Sequence, residues 1–214
     1  MDYQHDVFIS YKRELNWTDW TRNHFKELLK SYLQQDLGRG PEVFLDERLE
    51  SDFGIDWVKD LGVHLATARI AVILFSRDYF ASDWCLHELD LMLERAQTYS
   101  GSRVIIPVIG HDGELIPDRV ARITPCDVKD YRIACINKHS LDYHEFSKRI
   151  KNLSPKVAEA VNGAPLFDSA WIPECIGRFE EVYEAQSKGN RLPTRQFTPK
   201  PFPPLSTPPR LMTP

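Results

Sequence analysis

The chain is organised around one stretch, SDWCLHEL at residues 82–89, which predicts the start of an amphipathic helix with a carboxylate facing inward. Ser82 or Asp83 is suited to cap the first turn. A period of 3.6 residues predicts one buried apolar face, which consists of Leu86, Leu89, Leu93 and Ala96. Glu88 lies about one hundred degrees from that face and four residues after Trp84, so the indole and the carboxylate share a side. Burial of this carboxylate is costly unless polar groups meet it.

Composition and charge limit the possible functions. A chain of 214 residues suits one domain of roughly 100 to 200 residues plus an appendage, and a hydrophobic content of 42% is enough for a packed core. The net charge is −4 and the pI is about 6.0, so no overall basic field attracts nucleic acid or an anionic membrane. We therefore expect neither of these as a direct partner.

The cysteines and the N-terminus predict a cytoplasmic protein. The four cysteines contain no Cys-x-x-Cys pair, and no histidine follows at zinc-finger spacing, so we expect reduced thiols and no metal site. The first residues lack the positive start and the apolar run of a signal peptide, and no later run reaches the length of a membrane span.

Strand and helix patterns alternate along the chain. Apolar, β-branched runs predict strands at residues 6–11, 42–45, 69–75 and 104–109, with a weaker fifth at 126–128. Helical periodicity predicts helices at about 18–36, from 55 onward, 82–99, 142–161 and 171–188. The run at 69–75 is almost continuously apolar, as in a central parallel strand. The fold class is therefore α/β: a doubly wound sheet of about five parallel strands with helices on both faces.

Three segments that follow predicted strands should share one rim of this sheet. They are residues 10–13, 46–54 and 76–88. In doubly wound sheets, ligands bind outside the carboxyl ends of the strands, near the point where the strand order reverses. The sequence therefore predicts the functional site at this rim.

Several common chemistries lack their motifs. Gly38-Arg39-Gly40 precedes a strand and has no third glycine, so it is neither a dinucleotide fingerprint nor a P-loop. His87-Glu88 begins like a zinc-protease motif, but residue 91 is leucine rather than the second histidine. Cys85 is interpreted as a packing residue rather than a nucleophile. The acidic residues between 46 and 52 are interpreted as a solvated loop rather than a metal site.

The chain divides into three parts. Residues 1–135 form the predicted α/β core, and residues 136–190 form a helical extension that packs on or beside it. Residues 191–214 are a tail with eight prolines, four basic residues and no acidic residue, which cannot form a helix or a central strand. The tail is either disordered or laid along the domain, or it is a segment that docks a partner.

The residues of the predicted strands and of the 82–89 stretch together resemble the Toll/interleukin receptor (TIR) domain family over roughly residues 4–135. The resemblance is carried by DVFISY at 6–11, VFLD at 43–46, ARIAVILFS at 68–76 with Tyr79, and the Ser-x-Trp-Cys-Leu-x-Glu-Leu signature at 82–89. It is greatest to the plant and bacterial branches. It implies a flavodoxin-like sheet of five parallel strands.

The resemblance also implies an activity: cleavage of NAD+ at the nicotinamide-ribose bond, with NAD+ as substrate rather than cofactor. By position, Glu88 would be the catalytic glutamate and Trp84 its partner in the family's Trp-x-x-x-Glu pair. Asp46 would begin a mobile loop, residues 46–54, that covers the site. The remaining substrate-binding residues would lie at the end of the first strand: Phe8, Ser10, Lys12 and Arg13.

The chemistry fits these residues, although each also has an ordinary explanation. One carboxylate can stabilise the oxocarbenium-like ribose that forms when a neutral nicotinamide leaves. Lys12 and Arg13 could meet a pyrophosphate, or could simply end a solvated loop. Glu88 could equally be a helix-start carboxylate favoured by the dipole, and Trp84 could be a core residue.

Two functions follow as hypotheses. The first is an NAD+ nucleosidase that is activated by TIR-TIR self-association in bacterial anti-phage immunity. It would release ADP-ribose or a cyclic isomer, and a sensor or downstream effector protein could be its partner. The second is a non-catalytic scaffold that acts through TIR-TIR contacts.

Overall fold

The sheet contains five parallel strands in the order β2-β1-β3-β4-β5. The structure is a computed structural model that describes residues 2–46, 55–99, 102–111, 113–133 and 135–202. The strands are β1 (His5–Tyr11), β2 (Val43–Leu45), β3 (Ala68–Phe75), β4 (Ile105–Ile109) and β5 (Cys126–Asp127). This is the flavodoxin-like order, so the predicted fold class is confirmed. The order reverses between β1 and β3, which places the expected ligand crevice there.

The strand at the centre of the sheet is β3, which pairs with β1 on one side and β4 on the other. All of its residues are buried except Arg69. This agrees with its continuous apolar run, because a parallel strand at the centre of a sheet meets helices on both faces.

The helices form two layers around the sheet. They are α1 (Leu15–Trp20), α2 (Glu27–Leu37), α3 (Ile55–Ala66), α4 (Arg77–Ala81), α5 (Asp83–Thr98), α6 (Asp118–Ala121), α7 (Leu141–Asn162) and α8 (Trp171–Ser187). Side chains of α1, α2 and α7 share one core with one face of the sheet, and those of α3, α5 and α8 share the other. Within the described residues, no helix is both long enough and apolar enough to cross a bilayer.

The first helical region differs from the single helix predicted at 18–36. It begins earlier, at Leu15, and a π-helical stretch, Thr21–Lys26, separates α1 from α2. The widened turn brings Trp20 and Phe25 to the same side, where their rings stack with centroids 6.0 Å apart. Both side chains are fully buried. Burial of two large rings five residues apart accounts for the departure from α-helical spacing.

Helix α5 is buried more completely than the predicted apolar face implies. Leu86, Leu89 and Leu93 are buried, but so is every other residue from 84 to 93. Prediction of a single buried face was wrong because α8 covers the opposite side of the helix. Ser82 occupies the N-cap position, which is one of the two predicted residues, although its side chain makes no capping hydrogen bond.

The described part of the tail, residues 191–202, lies along α5. The Asp90 carboxylate accepts hydrogen bonds from the backbone N–H of Arg195 at 2.6 Å and of Gln196 at 2.5 Å. Nε2 of His87 lies 3.0 Å from the Leu192 carbonyl oxygen. The side chain of Phe197 is buried in the core. These residues therefore form a laid-down extension; residues 203–214 lie outside the described part of the chain.

Candidate functional site

The centre of the site is a contact between the end of β1 and the first turns of α5. Side chains alternate along β1, so Phe8 and Ser10 point to the α5 face while Val7 and Ile9 point to the other. The Ser10 hydroxyl donates a hydrogen bond of 2.5 Å to Oε2 of Glu88. Glu88 is thus held at the carboxyl end of the sheet, beside the reversal of strand order.

A buried tyrosine extends this contact. Ser76 caps α4 by accepting a hydrogen bond from the Tyr79 backbone N–H, which fixes Tyr79 next to β1. The Tyr79 hydroxyl lies 2.9 Å from Oγ of Ser10 and 2.8 Å from the carbonyl oxygen of Cys85. Glu88, Ser10 and Tyr79 therefore form one continuous chain of oxygen contacts that ends on α5.

The environment of Glu88 raises the pKa of its carboxyl group to about 7, and burial is the main cause. The Ser10 hydrogen bond and the positive charge of Arg13 act in the opposite direction, while the Asp46 carboxylate adds to the increase. The side chain is only 7% exposed. Glu88 therefore changes charge near neutral pH, which is the range in which a catalytic carboxyl group is most useful.

Arg13 and Asp46 form the second part of the site. Nη1 of Arg13 lies 2.8 Å from Oδ2 of Asp46, and the same oxygen accepts a hydrogen bond of 2.9 Å from Nε1 of Trp57. The Arg13 guanidinium also lies over the Trp57 ring, 5.1 Å from its centroid. The Tyr11 hydroxyl donates to the backbone carbonyl of Asp46 at 3.1 Å. These contacts fix one cation and one anion close to Glu88.

Two of the predicted substrate-binding residues lie behind the rim. Phe8 is buried two residues below Ser10 and stacks on Phe44, with centroids 5.3 Å apart. Trp84 is buried between Trp57, whose ring centroid is 5.0 Å away, and Phe179 of α8 at 5.9 Å. Both rings therefore support the site from inside the core.

Lys12 and Cys85 lie beside the Glu88 contact. Burial raises the pKa of the Cys85 thiol to about 12, and the charges of Arg13 and Lys12 oppose that increase. Sγ of Cys85 lies 3.6 Å from the Tyr11 carbonyl oxygen. A protonated, buried thiol is a packing group, as the sequence predicts. Most of the predicted acidic loop, residues 47–54, lies outside the described residues.

Sequence reasoning did not assign Tyr79 or Trp57 to the site. Tyr79 had a local signal, since Ser76 three residues earlier is a helix N-cap and fixes its direction. Trp57 had a weaker one: an aromatic ring with a hydrogen-bond donor that follows an acidic loop by a few residues. Neither signal identifies the hydrogen-bond partner, which is Ser10, 69 residues away, for Tyr79 and Asp46, 11 residues away, for Trp57.

The family signature spans more than half of the protein. The sequence profile described as "TIR domain" matches residues 7–140. The chain belongs to the TIR domain family. The match covers every strand from Val7 onward and α1 to α6, and so includes each residue of the site described above.

Three curated proteins from Arabidopsis thaliana are similar to part of this TIR domain. "Disease resistance protein RPP2B" is 30% identical over 95 residues, which is 44% of this chain and 7% of the relative. "Disease resistance-like protein DSC1" is 33% identical over 103 residues, or 48% of this chain and 7% of the relative. "Protein PHLOEM PROTEIN 2-LIKE A8" is 34% identical over 84 residues, which is 39% of this chain and 20% of the relative. This chain therefore corresponds to a small part of these relatives.

A solved structure also aligns with the TIR domain. It is "Structure of the activated Roq1 resistosome directly recognizing the pathogen effector XopQ (TIR domains)", and the alignment covers 83% of this chain and 98% of that one. The sequence identity is 22% and the TM-score is 0.34. The flavodoxin-like fold is established by the strand order β2-β1-β3-β4-β5.

Proposed function

We propose that this TIR domain is an NAD+ nucleosidase that uses Glu88 to cleave the nicotinamide-ribose bond. The observation that supports this most strongly is the position of the Glu88 carboxyl group: it is buried, bonded to Ser10, and set at the strand-order reversal, with a pKa of about 7. Arg13 close to it supplies a cation, which suits the diphosphate of a nucleotide.

The proposed reaction requires little general acid catalysis. Cleavage of the bond between ribose C1 and the pyridinium nitrogen returns the bonding electron pair to nitrogen, so nicotinamide leaves as a neutral molecule. The ribose acquires oxocarbenium character, and an ionised Glu88 beside it stabilises that charge and accepts hydrogen bonds from ribose hydroxyls. Attack by water then gives ADP-ribose. Attack by a nucleophile within the same molecule gives a cyclic isomer.

Arg13 is the proposed partner of the pyrophosphate. Its guanidinium lies over the Trp57 ring and already binds one anion, the Asp46 carboxylate. A diphosphate can replace that carboxylate because both offer oxygen pairs that match the guanidinium fork. Binding of NAD+ would therefore move Asp46 away from Arg13, and Lys12 would add a second positive charge at the same strand end.

Self-association and immune signalling belong to the same proposal. The two relatives described as disease resistance proteins suggest a role in immune signalling, and the TIR-TIR contacts implied by the family suggest activation by assembly. Four free cysteines agree with a reducing compartment such as the cytoplasm. A role in bacterial anti-phage defence stays a prediction, as does a partner that acts as sensor or downstream effector.

The decisive experiment measures nicotinamide release from NAD+ by the wild type and Glu88→Gln, with and without a crowding agent that promotes assembly. Glutamine keeps the shape of the side chain and removes its charge. We expect release by the wild type and at least a hundredfold loss in the variant, as is typical when one charge-stabilising group is removed. Glu159→Gln, on the exposed side of α7, is the control and should retain wild-type activity. Equal release by all three proteins contradicts the proposal.

A non-catalytic scaffold is the second candidate. It is favoured by one observation, that Glu88 is only 7% exposed while Arg13 is bound to Asp46. A scaffold predicts that NAD+ stays intact in every assembly state and that Glu88→Gln binds other TIR domains as the wild type does. Mass analysis of the nucleotide after incubation separates the two functions, because only the enzyme yields free nicotinamide with ADP-ribose or an isomer of it.

A further inference from the structure

Three oxygen-oxygen contacts connect Glu88 to the backbone of its own helix. Oε2 of Glu88 lies 2.5 Å from Oγ of Ser10, which lies 2.9 Å from the Tyr79 hydroxyl, which lies 2.8 Å from the Cys85 carbonyl oxygen. Tyr79 is fully buried and Ser10 is 1% exposed. Each distance is within the range of an O–H···O hydrogen bond.

Counting protons shows that the chain has two arrangements. The hydroxyls of Ser10 and Tyr79 supply two protons, and the Cys85 carbonyl supplies none. When Glu88 is neutral, its own proton completes the set, and donation runs from Glu88 to Ser10, to Tyr79, to Cys85. When Glu88 is ionised, donation runs the other way, from Tyr79 to Ser10 to the carboxylate. The Cys85 carbonyl then loses only the Tyr79 hydroxyl, because it lies within α5 and also accepts a helical hydrogen bond.

We propose that Tyr79 and Ser10 are positioning residues that keep the Glu88 carboxyl group bonded in the same place in both of its protonation states. The catalytic purpose of this arrangement rests on the proposed function, but the arrangement itself does not. Reversal requires only rotation of two hydroxyl groups, so Glu88 can lose or gain charge without a change of rotamer.

Two other titratable groups, the Tyr79 hydroxyl and the Cys85 thiol, stay protonated near neutral pH. Burial raises the pKa of the Tyr79 hydroxyl well above its usual value and that of the Cys85 thiol to about 12, so both remain neutral. The Asp46 carboxylate pairs with Arg13 and accepts the hydrogen bond from Nε1 of Trp57. Lys12 is the other cation near Cys85. Within this chain of contacts, Glu88 is therefore the group whose charge changes near neutral pH. The hydroxyls of Ser10 and Tyr79 reverse their direction of donation when it does.

The two hydroxyls have opposite effects on this titration. Ser10→Ala removes a partner of Glu88 in both states, but the bond to the ionised carboxylate is charge-assisted and therefore the stronger one, so we expect the pKa of Glu88 to rise by about one pH unit. Tyr79→Phe leaves that donor in place but removes two hydrogen bonds from the neutral arrangement and only one from the ionised arrangement, so we expect the pKa of Glu88 to fall. A role limited to packing does not predict opposite signs.

The experiment is a carbon-13 NMR titration of glutamate side-chain carboxyl groups in the full chain, with the Glu88 resonance identified by its absence in Glu88→Gln. It needs no NAD+ turnover, so it remains informative if the proposed enzyme activity fails. The matched control is Tyr32→Phe, which removes a tyrosine hydroxyl that pairs with Oγ of Ser147 at 2.7 Å on the opposite face of the sheet. We expect this control to leave the Glu88 midpoint unchanged.

Because Tyr79 acts through Ser10, Tyr79→Phe should have no effect on the Glu88 midpoint in a Ser10→Ala background. In the wild type, the chemical shift of the Tyr79 Cζ should change with pH at the same midpoint as Glu88, although Tyr79 itself does not ionise there. This measurement is made on the wild type, so it does not depend on whether a variant folds. Two results would overturn the proposal. One is a change of the Glu88 pKa in the same direction in Ser10→Ala and Tyr79→Phe, and the other is a Tyr79 resonance that stays constant while Glu88 titrates.

Discussion

Ser10 on β1 and Glu88 on α5 are 78 residues apart in the chain and share a hydrogen bond of 2.5 Å. The bond joins the end of a strand to the first turns of a helix, so the sheet and α5 together determine where the carboxyl group lies. The same packing removes Glu88 from water and raises its pKa to about 7. The position and the charge state of Glu88 therefore have one cause, the packing of α5 against the sheet.

Burial of Glu88 should make the stability of the protein depend on pH. Its folded-state pKa is raised from 4.5 to about 7, so the folded protein holds this proton more tightly, and the stabilisation is lost as the pH rises through about 7. Glu88→Gln cannot titrate. The wild type should lose stability as the pH rises, while the variant should not lose it. We therefore expect the difference in the free energy of unfolding, variant minus wild type, to be about 2 to 3 kcal/mol larger at pH 8 than at pH 5. Urea unfolding at both pH values measures it, and a constant difference contradicts the raised pKa.

The proposed activity should also depend on the charge of Glu88. The ionised form stabilises the oxocarbenium-like ribose, so kcat/KM for nicotinamide release should rise about tenfold per pH unit below the pKa and level off above it. The expected midpoint is about 7. An activity that falls between pH 6 and pH 7 would assign the protonated carboxyl group to the reaction instead.

Arg13→Lys separates binding from chemistry. Lysine keeps the positive charge but loses the guanidinium fork and the planar contact with the Trp57 ring. We expect KM for NAD+ to rise about tenfold, equivalent to about 1.4 kcal/mol, with little change in kcat. Arg22→Lys, on the surface of the first helical region, is the control. A fall in kcat at unchanged KM would place Arg13 in the chemical step rather than on the pyrophosphate.

Two glycines test the packing of α8 against α3. A Cβ on Gly62 of α3 would lie 2.8 Å from the Cα atom of Ile176 on α8. A Cβ on Gly177, the residue after Ile176, would meet nothing within 4 Å. We expect Gly62→Ala to destabilise the protein by about 1 to 3 kcal/mol, because backbone atoms must move apart. Gly177→Ala should stabilise it by about 1 kcal/mol through helix propensity. Thermal unfolding compares the signs, and destabilisation by both changes would contradict the described packing.

Removal of the tail should destabilise the domain. A chain that ends at Asn190 loses the two backbone donors to Asp90, a carboxylate that is 1% exposed and lies 3.6 Å from the Arg178 guanidinium. It also uncovers the core around Phe197. We expect a loss of about 3 kcal/mol, measured by urea unfolding, since a buried carboxylate is left with fewer hydrogen bonds. A chain that ends at Phe202 keeps every described tail contact and should be as stable as the full protein.

Local sequence patterns predicted most of the fold. Each predicted strand exists, and the helices at 82–99, 142–161 and 171–188 lie within two residues of α5, α7 and α8. The exception is the first helix, where the sequence did not reveal the π-helical stretch around Trp20 and Phe25. Periodicity records which side of an element is apolar, but the burial of two particular rings depends on what they pack against.

The alternation of strands and helices, the rim of the candidate site and the acid proposed at its centre follow from short-range periodicity and from the motif at 82–89. Three features follow only from the folded molecule: Tyr79 extends the contacts of Glu88, Arg13 binds Asp46, and Trp84 lies in the core. These features depend on how the layers pack, because packing brings together residues that are distant in the chain and removes the water around them. For the same reason, the charge state of Glu88 belongs to the folded molecule and not to its motif.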